Sequence, residues 1–457
     1  MKRLVVLNVV GLTPRALRRA PRLGQLAAGG FRAALEPVFP AVTCPAQATM
    51  LTGLLPREHG VVGNGWWHDD LAEILFWRQS NRLVAGEKVW ESGRQRSPKF
   101  TCANLFWWFA MYSSADVTLT PRPAYPADGR KLPDLWSHPP ALRAEIQREL
   151  GPFPLFDFWG PRAGIASSEW IAEASRRVIE RTRPTLALVY LPHLDYDFQR
   201  FGPDHERSAA AVIEIDRVAG GLAEAARAGG AEVIVLSEYG ITKVSGDVAL
   251  NRALRRAGFL RVLDQIGFEL LDAGASRAFA VADHQAAHVH VADEKDIAAV
   301  RRVIESEPGV DSVLDRAEQR SLGIDHPRAG DLVAIAKPDR WFSYYYWLDP
   351  EKAPDFAPTV DIHRKPGYDP AELFLDPAIP LVKARVARKL LAKKLGFRAL
   401  LDVIPTDGSL VRGSHGRLPD DPEDGPVLLS TSRAGASERL RQTDVRDVIL
   451  ETIFEGR

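Results

Sequence analysis

Three short, almost uninterrupted apolar runs constrain the fold of this 457-residue chain most strongly: Leu4–Val10, Thr185–Leu191 and Glu232–Leu236. Runs of this kind are typical of strands that are buried on both faces of a parallel sheet. Helical patterns at Ser168–Arg181 and Asp204–Ala228 separate the last two runs from each other and from the preceding chain. This alternation predicts an α/β fold, in which a layered, largely parallel sheet carries helices on both faces.

The chain is too long for one simple core, so we expect segments inserted into the sheet domain. We assign to the α/β core residues 1–65, 165–241, 325–348 and 400–457. The remaining stretches are expected to be a Trp- and Pro-rich cap insertion at 66–164, a smaller α+β insertion at 242–324, and a Pro-rich and helical excursion at 349–399.

Charge and cysteine content exclude several classes of protein. The 59 basic and 59 acidic residues cancel, which gives no support to a nucleic-acid polymer or a membrane as partner. Two cysteines, Cys44 and Cys102, are too few for a disulfide framework or a Cys-rich metal site. The apolar run after Met1 is short for a signal peptide, and no run of about 18 apolar residues could span a bilayer. We therefore expect a cytoplasmic protein, and the sequence carries no pattern for its oligomeric state.

Thr43 lies where the predicted strand Phe31–Val38 leads into a predicted helix at Cys44–Thr52. A hydroxyl at this place meets backbone N–H groups and the positive end of the helix dipole, which suits a phosphoryl group. Position alone favours the simpler interpretation that Thr43 is an N-cap residue. Asn64, beside Gly63, is by itself equally typical of a turn.

The segment from Pro40 to Asn64 resembles the nucleophile region of the alkaline-phosphatase superfamily, most closely its type I nucleotide pyrophosphatase/phosphodiesterase and phosphonoacetate hydrolase branch. Those proteins have Pro-x-x-Thr-x-Pro, a Thr-Gly helix end and Pro-x-x-His-Gly-x-x-x-Asn, all of which occur here in order. The resemblance implies the alkaline-phosphatase-like α/β fold. It also implies that Thr43 is the nucleophile and that Asn64 donates to a phosphoryl oxygen.

Three later segments look like the superfamily's metal motifs: His193 to Pro203, Ser237-Glu238-Tyr239-Gly240 and Gly413-Ser414-His415-Gly416. The resemblance implies a set of metal ligands, with Asn8 standing in for the aspartate that usually ends the first strand. The set comprises Asn8, Thr43, Asp195, Gln199, Glu238 and His415.

This ligand set departs from the family pattern. Val10 occupies the usual aspartate position, and Gln199 and Tyr239 replace two histidines. An oxygen-rich set makes manganese or magnesium as suitable as zinc, at one or two sites. His193 could supply an imidazole, although a histidine beside a strand end is more often structural.

The combined motifs predict a metal-dependent hydrolase of small phosphodiesters, phosphomonoesters or phosphonates that forms a phospho-Thr43 intermediate. The replaced ligands leave open a catalytically weakened relative that binds an anionic or phosphorylated ligand. Phosphoryl transfer between two substrates ranks lowest.

Several other residues could serve the site but fit simpler roles. We expect the histidines of 281–291 to belong to a structural strand, Cys44 to pack, and the loop 361–365 to be solvated rather than to hold an anionic substrate. For Trp66 and Trp67, stacking on a substrate ring and packing in the cap are equally good interpretations.

Overall fold

The computed structural model describes residues 1–127 and 130–454. Its strands are β1 Arg3–Val9, β2 Phe31–Glu36, β3 Gly65–His68, β4 Glu73–Phe76, β5 Cys102–Leu105, β6 Val117–Pro121, β7 Leu135–His138, β8 Leu186–Leu191, β9 Ala231–Leu236, β10 Thr242–Lys243, β11 Gly246–Val248, β12 Val262–Gln265, β13 Phe268–Leu271, β14 Ala278–Asp283, β15 Ala286–Val291, β16 Val310–Leu314, β17 Leu332–Ala336, β18 Arg340–Phe342, β19 Gly413–Ser414, β20 Val427–Ser430 and β21 Arg439–Arg441.

The α-helices are α1 Pro14–Leu17, α2 Pro21–Leu26, α3 Thr43–Thr52, α4 Pro56–His59, α5 Val89–Arg96, α6 Ala141–Leu150, α7 Leu155–Phe158, α8 Ile165–Thr182, α9 His193–Phe201, α10 Glu206–Ala228, α11 Leu250–Arg256, α12 Ile297–Glu305, α13 Arg316–Ser321, α14 Val382–Lys394 and α15 Val445–Phe454.

The main sheet has nine strands in the order β21-β2-β20-β9-β1-β8-β5-β6-β7. Its five central strands, β9, β1, β8, β5 and β6, run parallel to one another, while β20 and β7 are antiparallel to their neighbours. The three runs that predicted the sheet form β1, β8 and β9 side by side at its centre. Helices α8 and α10 pack against these strands. Helix α15 packs against β1, and it also contacts α3 and α5. The predicted α/β fold with helices on both faces is confirmed.

The structure differs from the predicted domain boundaries in one inserted segment. Strands β5, β6 and β7 belong to the stretch 66–164, which we predicted to be a cap, but they extend the main sheet. Each has only four or five residues, so the chain between the tryptophans and prolines carries no long apolar run to mark them.

A second unit follows β9 and is built on a four-stranded antiparallel sheet in the order β14-β15-β17-β16, with α11 and α12 packed on it. Strand β17 lies in this sheet, although we assigned its segment, 325–348, to the main core. An apolar five-residue run satisfies either sheet equally well, and only the pairing with β15 and β16 decides between them.

Within the described ranges, none of the helices has both the length and the apolar character that crossing a membrane requires.

Candidate active site

The parallel strands bring three polar side chains to one edge of the main sheet. Asn8, near the end of β1, is in register with Tyr190 of β8 and with Leu236 of β9. The chain leaves β8 and β9 at this same edge, so Asp195 in α9 and Glu238 follow directly above Asn8. The carboxyl ends of parallel strands are where open α/β sheets bind ligands, and the three residues implied by the resemblance lie at this edge.

Thr43 is the first residue of α3 and is buried, with its side chain lining the main cavity. The N-cap residue is Val42, with extended backbone, so the interpretation of Thr43 as an N-cap residue is wrong. The Thr43 Oγ atom lies 3.1 Å from Tyr239 Oη, and the positive end of the α3 dipole lies beneath it.

Glu238 is fully buried beneath Thr43 and is held by two amides. Its Oε1 accepts hydrogen bonds from Asn8 Nδ2 at 2.6 Å and from Gln47 Nε2 at 2.5 Å. Burial raises the pKa of Glu238 to about 8, although these hydrogen bonds oppose the shift. Burial likewise raises the pKa of Asp195 to about 7. Two carboxyl groups with raised pKa values are thus gathered around one hydroxyl, which is typical of a functional site.

His415 directs a ring nitrogen with a lone pair towards Asp195. Its Nδ1 donates to the carbonyl of Ala41 at 2.8 Å, which leaves Nε2 as an acceptor 3.8 Å from Asp195 Oδ1. The ring stacks on Tyr239 with centroids 3.6 Å apart. Burial lowers the pKa of His415 well below its ordinary value, so the ring is neutral.

Several acceptor atoms of these residues are not used within the protein. Asn8 Oδ1, Glu238 Oε2 and His415 Nε2 are buried and have no hydrogen-bond partner in the described part of the protein. Such acceptors are costly unless a cation or donor satisfies them. Across residues 1–127 and 130–454, however, no group of three or more His, Cys, Asp or Glu side chains is arranged to hold a metal ion. The residues therefore offer unpaired acceptors of the kind that a cation needs, but they do not form the histidine-rich site of a pair of zinc ions.

The tip of the β14–β15 hairpin contributes two residues that the sequence analysis did not place in the site. Asp283 accepts from the backbone N–H and the Nδ2 of Asn64, at 2.7 and 3.1 Å. His284 lies at φ 59° in the turn, bonds Asp283 through Nδ1, and has its ring centroid 3.8 Å from that of His415. The polar triplet 283–285 interrupts an apolar run, and this interruption was the available signal.

The remaining histidines of this hairpin are structural, as predicted. His288 Nε2 donates to the carbonyl of Val62 at 2.9 Å, and the ring of His290 stacks on Phe279. The expectation was wrong for His284 alone, because a turn rather than a continuous strand carries it into the site.

Asn64 connects the hairpin tip to the start of α3. Its Oδ1 accepts from the N–H of Cys44 at 3.0 Å, while its other groups bind Asp283. Asn64 therefore fixes the end of the helix that carries Thr43, and donation to a phosphoryl oxygen by Nδ2 stays a prediction. Cys44 is buried among apolar residues, as expected.

A strap at 413–416 clasps the hairpin tip against the main sheet. The N–H of Ala41 donates to Gly416 O and the N–H of Gln285 donates to His415 O, both at 2.9 Å. Gly416 has φ 118°, and a Cβ there would lie 2.9 Å from Gln285 N. Only glycine fits this position without displacing the strap.

We expect Gly416→Ala to lower the free energy of unfolding by about 1–3 kcal/mol and to reduce turnover, because the strap that carries His415 must shift. Urea denaturation and steady-state kinetics measure the two effects. Gly258→Ala is the matched control, since Gly258 also has positive φ but open space around it. Equal losses in both variants would show that the contact with Gln285 has no role.

A cavity of about 1540 Å³ opens above Thr43. Its inner walls are aromatic, formed by Trp77, Trp108, Trp159, Tyr190 and Tyr368. Asp361 and His363 line the cavity as well, so the loop 361–365 reaches the cleft and is not a solvated loop.

Trp66 and Trp67 do not line this cavity. Trp66 packs with Cys44 in a buried cluster and Trp67 packs on Phe279, which favours the packing interpretation of both.

The sequence model of the type I phosphodiesterase/nucleotide pyrophosphatase family matches residues 4–369, which is most of the chain. The chain belongs to this family. An uncharacterized pyrophosphatase/phosphodiesterase of Schizosaccharomyces pombe is 26% identical over 216 residues, a match that spans 46% of this chain and 38% of that relative.

Solved structures of two kinds share the fold of this phosphodiesterase-family chain. Murine ectonucleotide pyrophosphatase/phosphodiesterase 5, as an inactive variant in complex with AMP, superimposes with a TM-score of 0.60 at 14% identity. The alignment covers 99% of this chain and 95% of that protein. Phosphonoacetate hydrolase from Sinorhizobium meliloti 1021, in complex with phosphonoformate, gives 0.61 at 14% identity, covering 99% and 96%.

The side chains at the positions where this chain departs from the family motif form hydrogen bonds with other residues. Gln199 Oε1 accepts from Tyr368 Oη at 2.8 Å, so its carbonyl oxygen is already engaged. His193 Nε2 contacts Glu214 of α10 at 2.9 Å and therefore does not supply the missing imidazole. Tyr239 Oη lies between Thr43 Oγ and Asp195 Oδ1, 3.4 Å from the latter. A tyrosine hydroxyl thus occupies the space between the two halves of the expected ligand set.

Proposed function

We propose that this chain hydrolyses small phosphorus esters, namely phosphodiesters, phosphomonoesters or phosphonates, with Thr43 as nucleophile and one divalent cation. The observation that carries this proposal is the position of Thr43. Its hydroxyl lies on the wall of the main cavity at the start of a helix, in contact with Tyr239 and beside two buried carboxyl groups. Membership of the family supports the reaction class.

The chain's own groups orient Thr43 for attack. When Asp195 is ionised, Tyr239 donates to Asp195 Oδ1, and the Thr43 hydroxyl then donates to Tyr239 Oη. This fixes the hydroxyl rotor of Thr43 and leaves a lone pair of Oγ for the substrate. The dipole of α3 favours the negative charge of a phosphoryl group at the same point.

The proposed cation ligands are Asn8, Thr43, Asp195, Glu238 and His415, which would have to draw closer together than they lie here to hold one ion. Gln199 would contribute only if it releases Tyr368. A bound dication would lower the pKa of the attacking hydroxyl and would compensate the negative charge of the phosphoryl group. Because most of these donors are oxygens, manganese or magnesium suits the set better than zinc.

The test uses protein treated with a chelator and then supplied with manganese, magnesium or zinc. We expect hydrolysis of a p-nitrophenyl phosphodiester, a p-nitrophenyl monoester or phosphonoacetate that depends on the added ion. Acid quenching during turnover should leave a phosphorus group on the peptide that contains Thr43, detectable by mass spectrometry: a phosphoryl group from the monoester or phosphonoacetate, and a phosphoryl group that keeps its second ester from the diester. Hydrolysis without such a peptide, or with the phosphoryl group elsewhere, contradicts the proposed nucleophile.

The second candidate function is a catalytically weakened protein that binds a phosphorylated or anionic ligand. Tyr239 favours it, because this side chain stands where the family motif has a metal-binding histidine. Calorimetric titration with AMP and with phosphonoacetate separates the two functions. Saturable binding without turnover in any of the three metals favours the binding protein.

Tyr239→His should return an imidazole to the site and tighten zinc binding by more than about tenfold. Competition with a chromogenic zinc chelator measures the change. Tyr239→Phe is the control, since it keeps the ring that stacks on His415 but offers no metal donor. If both variants bind zinc equally, then position 239 does not face the cation.

A further inference from the structure

The segment 381–398, which we call the rim segment, is the most strongly basic part of the chain. It contains seven lysines and arginines and no acidic residue. The net charge of zero led us to expect no membrane partner, but a whole-chain average conceals a local concentration of this kind. Most of the rim segment is helix α14, whose residues are all at least partly exposed.

One side of the rim segment is fixed to the protein. Val382 and Val386 pack against a small cluster that includes Val403 and Ile404. Arg385 and Lys389 both form ion pairs with Asp402. The helix therefore has a defined inner side, and its outer side is free for a different contact.

The outer side presents large apolar side chains to solvent. Leu391, Leu395 and Phe397 are between 56% and 67% exposed and lie within seven residues of one another. Leu390 is 51% exposed but follows Val386 by one helical turn, so it lies on the side that faces the cavity. Leu391 and Leu395 are one helical turn apart and so lie on the same face. Exposed apolar groups of this size rarely cluster without a partner.

Positive charges surround these apolar side chains. Among the residues that the structure describes, no carboxylate lies within 4.0 Å of Lys383, Arg388, Lys393 or Lys394. Nucleic acid would account for the charges but not for three exposed leucine and phenylalanine side chains. A helix that combines both is suited to an anionic bilayer, where leucines enter the headgroup boundary and lysines bind lipid phosphates.

The rim segment also borders the active-site cavity. Leu390, Phe397 and Leu400 line the cavity together with the exposed side chains Tyr125, Leu132 and Phe156. Phe397 belongs both to the exposed apolar side chains and to the lining of the cavity, so the outer side of the rim segment adjoins the cavity that Thr43 also lines.

We propose that the rim segment docks this protein on the surface of anionic lipid bilayers, with the mouth of the active-site cavity turned towards the headgroups. The docking rests on exposed leucine, phenylalanine and lysine side chains, and it does not require Thr43 to be a nucleophile. Neither a membrane-spanning helix nor a lipid modification is needed for an association of this type.

The experiment is co-sedimentation of the full chain with vesicles of phosphatidylglycerol and phosphatidylcholine, against vesicles of phosphatidylcholine alone. We expect binding to the anionic vesicles that weakens as salt is added. The double variant Leu391→Glu/Leu395→Glu should bind at least about tenfold more weakly, and Arg388→Glu about fivefold more weakly. Ile266→Glu is the matched control, because Ile266 is 91% exposed in the β12–β13 turn and should leave binding unchanged.

Leu391 and Leu395 are exposed, so the double variant should keep the circular dichroism spectrum and melting temperature of the parent. The proposal is overturned if the parent chain binds neither kind of vesicle, or if the double variant still sediments with anionic vesicles. It is also overturned if light scattering shows a dimer that the double variant dissociates while lipid binding is absent. In that case the face joins two copies of the chain.

Discussion

Thr43→Ala is expected to lower kcat for the best ester substrate by at least about 10⁴-fold, because the substitution removes the only group proposed to bond to phosphorus. Binding of AMP or phosphonoacetate should change little, since the cavity walls and the carboxyl groups stay in place. The phosphoryl-peptide signal should disappear as well. Steady-state kinetics and calorimetry on the same preparation measure both quantities.

Two variants serve as controls for this result. Thr43→Ser keeps a hydroxyl at the same atom and should retain measurable turnover. Thr52→Ala alters a buried threonine of the same helix that bonds the carbonyl of Ala48, so it tests whether a disturbed α3 is sufficient to abolish activity. If Thr43→Ala keeps more than about a tenth of the activity, then another group or a water attacks the substrate.

Lys365→Met is expected to lower the free energy of unfolding by about 3–5 kcal/mol, the largest stability effect we foresee. The Lys365 Nζ atom lies 2.7 Å from Asp369 Oδ2 and 2.8 Å from Glu372 Oε1, and all three side chains are buried. Burial opposes its charge, but the two carboxylates hold the pKa of Lys365 above its ordinary value. The ammonium is therefore charged at neutral pH, and its removal leaves two uncompensated buried carboxylates.

Urea denaturation of the two proteins measures this change. Lys352→Met alters an exposed lysine of the neighbouring loop and should change stability by less than about 0.5 kcal/mol. Adding Asp369→Asn to Lys365→Met should recover part of the loss, because one buried negative charge is removed. A loss of less than about 1 kcal/mol for Lys365→Met would mean that water reaches the cluster and solvates its carboxylates.

The sequence was sufficient to predict those parts of the site that depend on local pattern. Buried runs identify β1, β8 and β9, and residues after parallel strands must meet at one edge. The resemblance implies that Asn8, Asp195 and Glu238 are site residues, and their positions at or after these strands place them together without a structure. The positive φ of Gly53, which ends α3, also follows from its position after the helical pattern.

Contacts between distant segments could not be predicted in this way. Asp283 and His284 reach the site because a hairpin of the second sheet docks beside α3, and no periodicity in the chain encodes that docking. The engagement of Gln199 by Tyr368 and of His193 by Glu214 is of the same kind. Each depends on which surfaces meet in three dimensions, so single positions in a motif were weaker guides than the strands that carry them.

The hydrogen bonds that join the hairpin tip to the strap 413–416 have a consequence for how this protein folds. Thr43, Asp195 and Glu238 come from the main sheet, whereas Asp283 and His284 come from the second sheet, so each sheet can form while the catalytic centre is still incomplete. The strap follows the central strands of both sheets in chain order, and it supplies His415 and the bonds to both Ala41 and Gln285. During refolding, secondary structure should therefore return before enzymatic competence. A chain that ends before residue 413 would lack His415 and also the strands β20 and β21 of the main sheet, so its active centre would stay incomplete.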